Sequence, residues 1–150
     1  MAGTYSQLLY HIIFSTKQRM PLISESWESE LHRYLGGIAK GEGGVPNEIN
    51  GVSDHVHLLI KLKPTLAVSD FLRKLKTNSS KWINETHALN HKFHWQDGFA
   101  AFSVSTSRSE IVAKYIRNQK THHQKKTFKD EFLTLLKKHN VDYDDRYIWD

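Results

Sequence analysis

The sequence contains no cysteine, only three prolines, and no run of apolar residues long enough to cross a bilayer. Without cysteine, disulfide bonds, thiolate zinc sites and cysteine nucleophiles are excluded. The N-terminal segment lacks a basic stretch followed by an apolar core, so we expect no signal peptide. These absences favour a cytoplasmic protein.

The composition is that of a folded domain with a basic surface. Hydrophobic residues make up 39% and charged residues 25% of the 150 residues, which suits one domain over residues 1–150. The formal net charge of +5, with histidines neutral, favours an anionic partner such as nucleic acid. A basic surface without a partner is equally compatible with this charge.

Hydrophobic periodicity predicts alternating strands and helices. We expect strands over residues 5–15, 48–52, 55–63 and 99–105. Helices are expected from about Trp27 to Gly41, over residues 68–90, from a Ser107–Glu110 capping box through about Gln124, and after a Thr127 cap. The tail, residues 141–150, is expected to pack on the body. The order β-α-β-β-α-β predicts an α+β, ferredoxin-like fold with helices on one face of an antiparallel sheet, plus C-terminal helices.

The segment Asp54-His55-Val56-His57 is the sharpest local motif. Alternation along a strand places His55 and His57 on one face, close enough to share a cation. Taken alone, the motif is also compatible with two half-exposed polar residues. Alternation points Asp54 to the other face, and we find no third His, Cys or carboxylate at ligand spacing. A zinc hydrolase is therefore not expected.

Tyr115 and Gln119 form a second candidate pair. Four residues apart on a helix, they lie on one face, where a phenol and an amide oxygen could serve as nucleophile and metal ligand. A half-buried core tyrosine explains the same pattern.

Basic residues interleaved with aromatic ones form the third feature. Such residues can neutralise phosphates while aromatic rings stack on unpaired bases. A solvated helix face is the plainer interpretation for any one of them. The candidates for DNA binding are Lys17, Arg19, Arg73, Lys76, Lys81, Arg117 and Lys120.

Together, five blocks of sequence resemble one family. They are residues 11–17 (HIIFSTK) with Arg19 and Pro21, residues 54–59 (DHVHLL), Leu75-Lys76 with residues 79–81 (SSK), residues 95–99 (WQDGF) with 101–105 (AFSVS), and Tyr115-Ile116 with Asn118-Gln119. In this order they resemble the HUH endonucleases with a single tyrosine, and more specifically the small transposases that move insertion sequences as single-stranded DNA.

The resemblance implies a concrete site and partners. Tyr115 would be the nucleophile, and His55, His57 and Gln119 would bind a divalent metal. Two imidazoles and an amide oxygen suit Mg²⁺ or Mn²⁺ better than structural zinc. The resemblance also implies single-stranded DNA with hairpins as substrate, a homodimer in which one subunit can supply the tyrosine to the other, and a bacterial or archaeal, nucleoid-associated protein.

Two alternatives stay open at this stage. One is a domesticated relative with the same chemistry, which cuts repeated palindromes without moving an element. The other is a non-enzymatic, ferredoxin-like nucleic-acid binder in which the histidines are incidental. A replication initiator is less favoured, because no helicase or recruiting domain is attached.

Overall fold

In the computed structural model, four strands form one antiparallel sheet with the order β2-β3-β1-β4. The strands are β1 (Leu9–Ser15), β2 (Val45–Val52), β3 (His55–Lys61) and β4 (Ala100–Val104). The structure describes residues 3–87 and 89–149. Met1 and Ala2 of the N-terminal segment, Ala88 after the second helix, and Asp150 at the end of the tail lie outside the described residues. The predicted order of elements, β-α-β-β-α-β followed by C-terminal helices, and the α+β fold with an antiparallel sheet are confirmed.

Two helices, α1 (Glu28–Gly41) and α2 (Val68–Thr86), cover one face of the sheet. Their apolar stripes follow the 3.6-residue period, and their buried side chains meet alternate residues of the central strands. This core includes Leu31, Leu35, Phe71, Leu72 and Leu75 from the helices and Ile12, Phe14, Val56, Leu58 and Ile60 from the sheet. Burying each such side chain stabilises the fold by about 1.5–3 kcal/mol.

The other face of the sheet is covered by α3 (Ser109–Arg117), α4 (Gln119–His122) and α5 (Phe128–Lys138). Ile13 and Phe102 pack against α5, and Leu59 packs against Ile116 of α3. The central strands are consequently buried on both sides, which explains their near-continuous apolar sequence. Polar side chains of β3 that point to this second face are enclosed between the sheet and these helices.

The predicted third helix differs from the observed one at both ends. Ser107 lies in a 3-10 turn over Thr106–Arg108 and its hydroxyl pairs with Ser105, so the Ser107–Glu110 capping box does not form. At Asn118 the backbone leaves helical geometry, which separates α3 from α4. Beside this break, Asn50 Nδ2 of β2 donates to the carbonyl groups of Ile116 and Arg117, at 3.0 and 3.1 Å.

Other element boundaries shift by a few residues. β2 begins earlier than predicted, at Val45, and β3 ends earlier, at Lys61. α2 ends at Thr86, short of the predicted residue 90. The cap of the last helix is confirmed, since the Thr127 hydroxyl accepts a hydrogen bond from the Asp130 N–H at 3.2 Å.

The prediction that the C-terminal tail packs on the body holds only for its end: residues 141–147 are exposed, whereas Ile148 and Trp149 pack against the core beside α5. Trp149 lies 5.7 Å from the ring of Phe132, and the Arg19 guanidinium lies 5.0 Å from the Trp149 ring. None of the helices within residues 3–87 and 89–149 is both long and apolar enough to cross a membrane.

Candidate active site

Strand β3 places His55 and His57 on the face that the C-terminal helices cover. As the alternation predicts, Val56 and Leu58 point into the opposite core. Both histidine side chains have no exposed surface. The alternative of two half-exposed polar residues is therefore wrong.

Tyr115 reaches this pair of histidines from α3. Its ring centroid lies 6.0 Å from that of His57 and 6.2 Å from that of His11. The phenol donates a hydrogen bond to the Glu131 carboxylate and lies 3.4 Å from His122 Nε2. Burial, together with the negative charge of Glu131, raises the pKa of the Tyr115 phenol, so the phenol is protonated at neutral pH.

Gln119 joins the same cluster because α4 begins there. The side chain is fully buried. Its Oε1 lies 3.2 Å from His55 Nε2, and its Nε2 donates to Glu131 Oε2 at 3.0 Å. The structure thus brings together all four residues predicted for the chemistry: Tyr115, His55, His57 and Gln119.

Two further donors, His123 and Glu131, lie beside the histidine pair. Donor atoms of His55, His57, His123 and Glu131 all fall within 4.8 Å of one another. The expectation that no third His or carboxylate comes to ligand spacing is wrong, because these residues reach the site through tertiary packing. One signal was in the sequence: Glu131 shares the buried stripe of α5 with Phe128 and Leu135.

Asp54 also belongs to the site, contrary to the prediction. The alternation rule does not apply to it, because β3 begins at His55 and Asp54 lies in the hairpin turn. Its Oδ1 lies 2.7 Å from His55 Nδ1, and since a carboxylate only accepts, His55 Nδ1 donates. This contact fixes the ring so that Nε2 points into the cluster.

His11 holds the second histidine from the neighbouring strand. Its Nε2 lies 2.8 Å from His57 Nδ1, and the two rings stack with centroids 5.1 Å apart. Burial lowers the pKa of His11 to about 3 and that of His57 to about 4. Both rings are consequently neutral at physiological pH, the form in which imidazole binds metals.

Glu131 is the negatively charged group at the centre of this cluster. Burial alone would raise the pKa of its carboxyl group, but the close imidazoles of His123, His55 and His57 hold it well below its usual range. Burial likewise opposes protonation of His55, but the Asp54 and Glu131 carboxylates raise its pKa above the ordinary value. The centre therefore combines an ionised carboxylate with several imidazoles.

The predicted DNA-binding residues are spread over the molecule. Arg73, Lys76 and Lys81 are on α2, across the sheet from the histidines, whereas Lys17 and Arg19 follow β1. Several already have protein partners. Arg117 contacts Glu48 and Glu110, Lys120 contacts Glu28, and Lys76 contacts three backbone carbonyls.

Comparison with known proteins identifies relatives over most of the chain. This chain is 29% identical over 122 residues to the ISDra2 transposase TnpA of Deinococcus radiodurans. The alignment covers 78% of this chain and 87% of that protein. It is 28% identical over 128 residues to the transposase for insertion sequence element IS200 of Salmonella typhimurium, covering 79% and 81%.

Solved structures share the fold. A Deinococcus radiodurans R1 crystal structure classed as a transposase aligns with a TM-score of 0.65 at 26% identity, over 79% of this chain and 95% of that one. The REP-associated tyrosine transposase bound to a REP hairpin aligns with a TM-score of 0.61 at 14% identity, over 82% and 73%, and this match supports the fold alone.

The family assignment follows from these matches and from the order of the motifs. The predicted resemblance and the prediction of a transposase enzyme are confirmed. Residues 4–119 match the model of the family described as "Transposase IS200 like", and the chain belongs to this family of transposases.

Proposed function

We propose that this transposase cleaves and rejoins single-stranded DNA at hairpin-marked element ends, with Tyr115 as nucleophile and a divalent metal at His55 and His57. One observation carries the proposal: the phenol of Tyr115 lies beside His55 and His57, two fully buried imidazoles of the same chain that can bind a metal. The family to which the chain belongs supports DNA as the substrate.

The residues fit a divalent cation. His55 and His57 present Nε2 atoms to a common space, with the rings fixed from behind by Asp54 and His11. Such support of the second ring nitrogen is typical of metal-binding histidines. Gln119 adds an amide oxygen beside His55. A bound Mg²⁺ or Mn²⁺ would withdraw charge from the scissile phosphate and stabilise the transition state.

Tyr115 carries out the exchange of bonds. Its oxygen attacks phosphorus, which forms the 5′-phosphotyrosine bond and breaks the bond to the 3′ oxygen. The Glu131 carboxylate accepts the hydrogen bond of the phenol and so orients its oxygen. The phenolic proton passes to solvent, and the leaving oxygen takes up a proton from water to become a free 3′-hydroxyl. Since the phosphodiester energy is conserved, another 3′-hydroxyl reverses the step and joins new ends without ATP.

The basic residues on α2 offer a surface for the DNA strand. Arg73 and Lys76 line a groove of about 350 Å³ with Trp95 and the exposed ring of Phe99. A cationic groove with an exposed aromatic ring suits a phosphate backbone with an unpaired base. We assign hairpin or strand binding to this groove, with Lys17, Arg19 and Lys81 as further candidates.

The subunit arrangement is part of the proposal. In this chain Tyr115 lies against His57 of the same chain, so each subunit of the expected homodimer would hold a complete set of residues. Supply of the tyrosine by the partner requires α3 to leave the contact with Glu131.

Covalent trapping tests the function. Labelled single-stranded hairpins taken from the DNA that flanks the gene are incubated with the protein and Mn²⁺, then run on a denaturing gel. We expect a slow, labelled band that disappears with a chelator and in Tyr115→Phe, while hairpin binding is retained. Tyr10→Phe, which alters a half-buried tyrosine of the opposite core, is the matched control and should keep the band.

Other outcomes contradict the proposal in different ways. A band that persists in Tyr115→Phe would assign the nucleophile to another residue. Tight hairpin binding without any band would favour the non-enzymatic binder. Cleavage of repeated palindromes without joining of element ends would favour the domesticated nuclease.

A further inference from the structure

Two donors of the buried cluster come from outside the segment that matches the family. His123 follows α4 and Glu131 is on α5, whereas the family match ends at residue 119. Glu131 Oε1 lies 2.9 Å from His123 Nε2, 3.1 Å from His57 Nε2 and 3.3 Å from His55 Nε2. Three imidazole nitrogens thus surround one carboxylate oxygen, and only 1% of the Glu131 side chain is exposed.

The contacts of His55 and His123 turn both Nε2 atoms towards the Glu131 carboxylate. His55 Nδ1 faces the Asp54 carboxylate at 2.7 Å, and His123 Nδ1 faces the Lys126 carbonyl at 2.8 Å. Both partners only accept, so both Nδ1 atoms carry the proton. In a neutral ring, the Nε2 atom then presents a lone pair to an anionic oxygen, which is unfavourable unless a positive charge lies between them.

The geometry allows one ion to contact all of these atoms. Donor atoms of His55, His57, His123 and Glu131 lie within 4.8 Å of one another, and the ring centroids of His55 and His123 are 4.6 Å apart. A divalent cation between them would accept the lone pairs of the imidazoles and the charge of the carboxylate at once.

We propose that His123 and Glu131 complete a metal centre with His55 and His57, made of three imidazoles and one carboxylate. This inference rests on the proposed function for the metal at His55 and His57, and adds two ligands from the C-terminal helices. Metal bonds of about 2.0–2.1 Å place tetrahedral ligand atoms roughly 3.3 Å apart, close to the separations around Glu131 Oε1. Such a donor set favours Zn²⁺, Co²⁺ or Mn²⁺ over Mg²⁺.

Gln119 has a second role in this centre. Its Nε2 donates to Glu131 Oε2, the oxygen that also accepts from Tyr115, and its Oε1 lies 3.2 Å from His55 Nε2. Gln119 therefore holds the carboxylate in place while its amide oxygen stays beside the proposed ion. Because the amide carries no charge, its loss should affect metal binding less than the loss of Glu131.

Metal binding to the full-length protein tests the proposal without using activity. Metal-free protein is titrated with Co²⁺, followed by its visible absorption, and Zn²⁺, Mn²⁺ and Mg²⁺ affinities are measured by competition. We expect Glu131→Gln and His123→Asn each to weaken Co²⁺ and Zn²⁺ binding at least tenfold, and Gln119→Ala to weaken it less. Asp130→Asn, an exposed acid on the same helix, and His91→Asn, an exposed histidine, should leave affinity unchanged.

The results separate this inference from the function on which it rests. Unchanged affinity in both Glu131→Gln and His123→Asn, with loss in His57→Ala, would overturn the four-ligand centre and keep the metal at the strand. Unchanged affinity in His57→Ala as well would overturn the metal assignment altogether. If circular dichroism shows that Glu131→Gln does not fold, the metal affinities of His123→Asn and His91→Asn are compared instead. Equal affinities in these two variants would overturn the four-ligand centre.

Discussion

At the scale of single residues, Lys76 differs most from its predicted role. Its Nζ donates to the carbonyls of Gln96, Asp97 and Gly98 at 2.8, 3.2 and 2.6 Å. These three acceptors match the three N–H groups of an ammonium ion. Burial lowers the pKa of Lys76 to about 8, which still leaves it mainly protonated at pH 7. Lys76 thus shapes the loop that borders the proposed DNA groove.

We expect Lys76→Met to reduce the free energy of unfolding by about 1.5–3 kcal/mol, because three loop carbonyls lose a charged donor. Lys81→Met, an exposed lysine on the same helix, should change it by less than about 0.5 kcal/mol. Urea unfolding of both variants measures the difference. If both variants change the free energy of unfolding by the same small amount, Lys76 does not stabilise the loop, and DNA binding remains its main role.

At the scale of elements, the β2–β3 hairpin determines where the two histidines lie. Gly51 of β2 pairs with Val56 of β3, between the two histidines. A Cβ at Gly51 would lie 2.9 Å from Val56 Cα and closer still to the His55 carbonyl oxygen, and both are backbone atoms that cannot move aside. Only glycine allows this close approach of the two strands.

We therefore expect Gly51→Ala to destabilise the protein by at least about 2 kcal/mol and to disturb the histidine pair. Gly37→Ala is the matched control, because a Cβ there meets nothing within 4 Å. In the interior of α1 the added methyl group should stabilise the helix by about 0.5–1 kcal/mol. Thermal melts that move in the same direction for both variants would contradict this assignment.

At the scale of the whole molecule, buried histidines link stability to pH. His32 on α1 is an example away from the active site: its Nε2 is buried and has no hydrogen-bond partner among the described residues. Burial, with a smaller effect of Lys120, lowers the pKa of His32 to about 4, although Glu28 opposes this shift.

The sign of the pH effect follows from where the proton binds. As the pH falls below about 6.5, the unfolded chain protonates this histidine, whereas the folded chain does not until about pH 4. Stability contributed by neutral His32 is therefore lost on acidification. We expect His32→Gln to reduce the drop in unfolding free energy between pH 7 and pH 5 by about 1–2 kcal/mol. If the unfolding free energy of His32→Gln falls between pH 7 and pH 5 as much as that of the control His91→Gln, His32 does not cause the pH dependence.

Local sequence patterns were enough to predict several features of this protein. The two-residue period of β3 assigned His55 and His57 to one face, because it depends only on neighbours along the chain. Helical spacing predicted that Tyr115 and Gln119 lie near each other, and they do so although the helix breaks at Asn118 between them. The order of short motifs was enough to indicate the transposase family. The Thr127 cap was equally local.

Only the tertiary structure decided which side chains complete the site. Glu131 meets His57 across 74 positions of sequence, and His123 meets His55 because α4 and α5 fold over the sheet. Asp54 turned towards His55 because it lies in a turn, where strand alternation does not hold. Periodicity specifies the face on which a residue lies, whereas packing of distant elements specifies what it meets there.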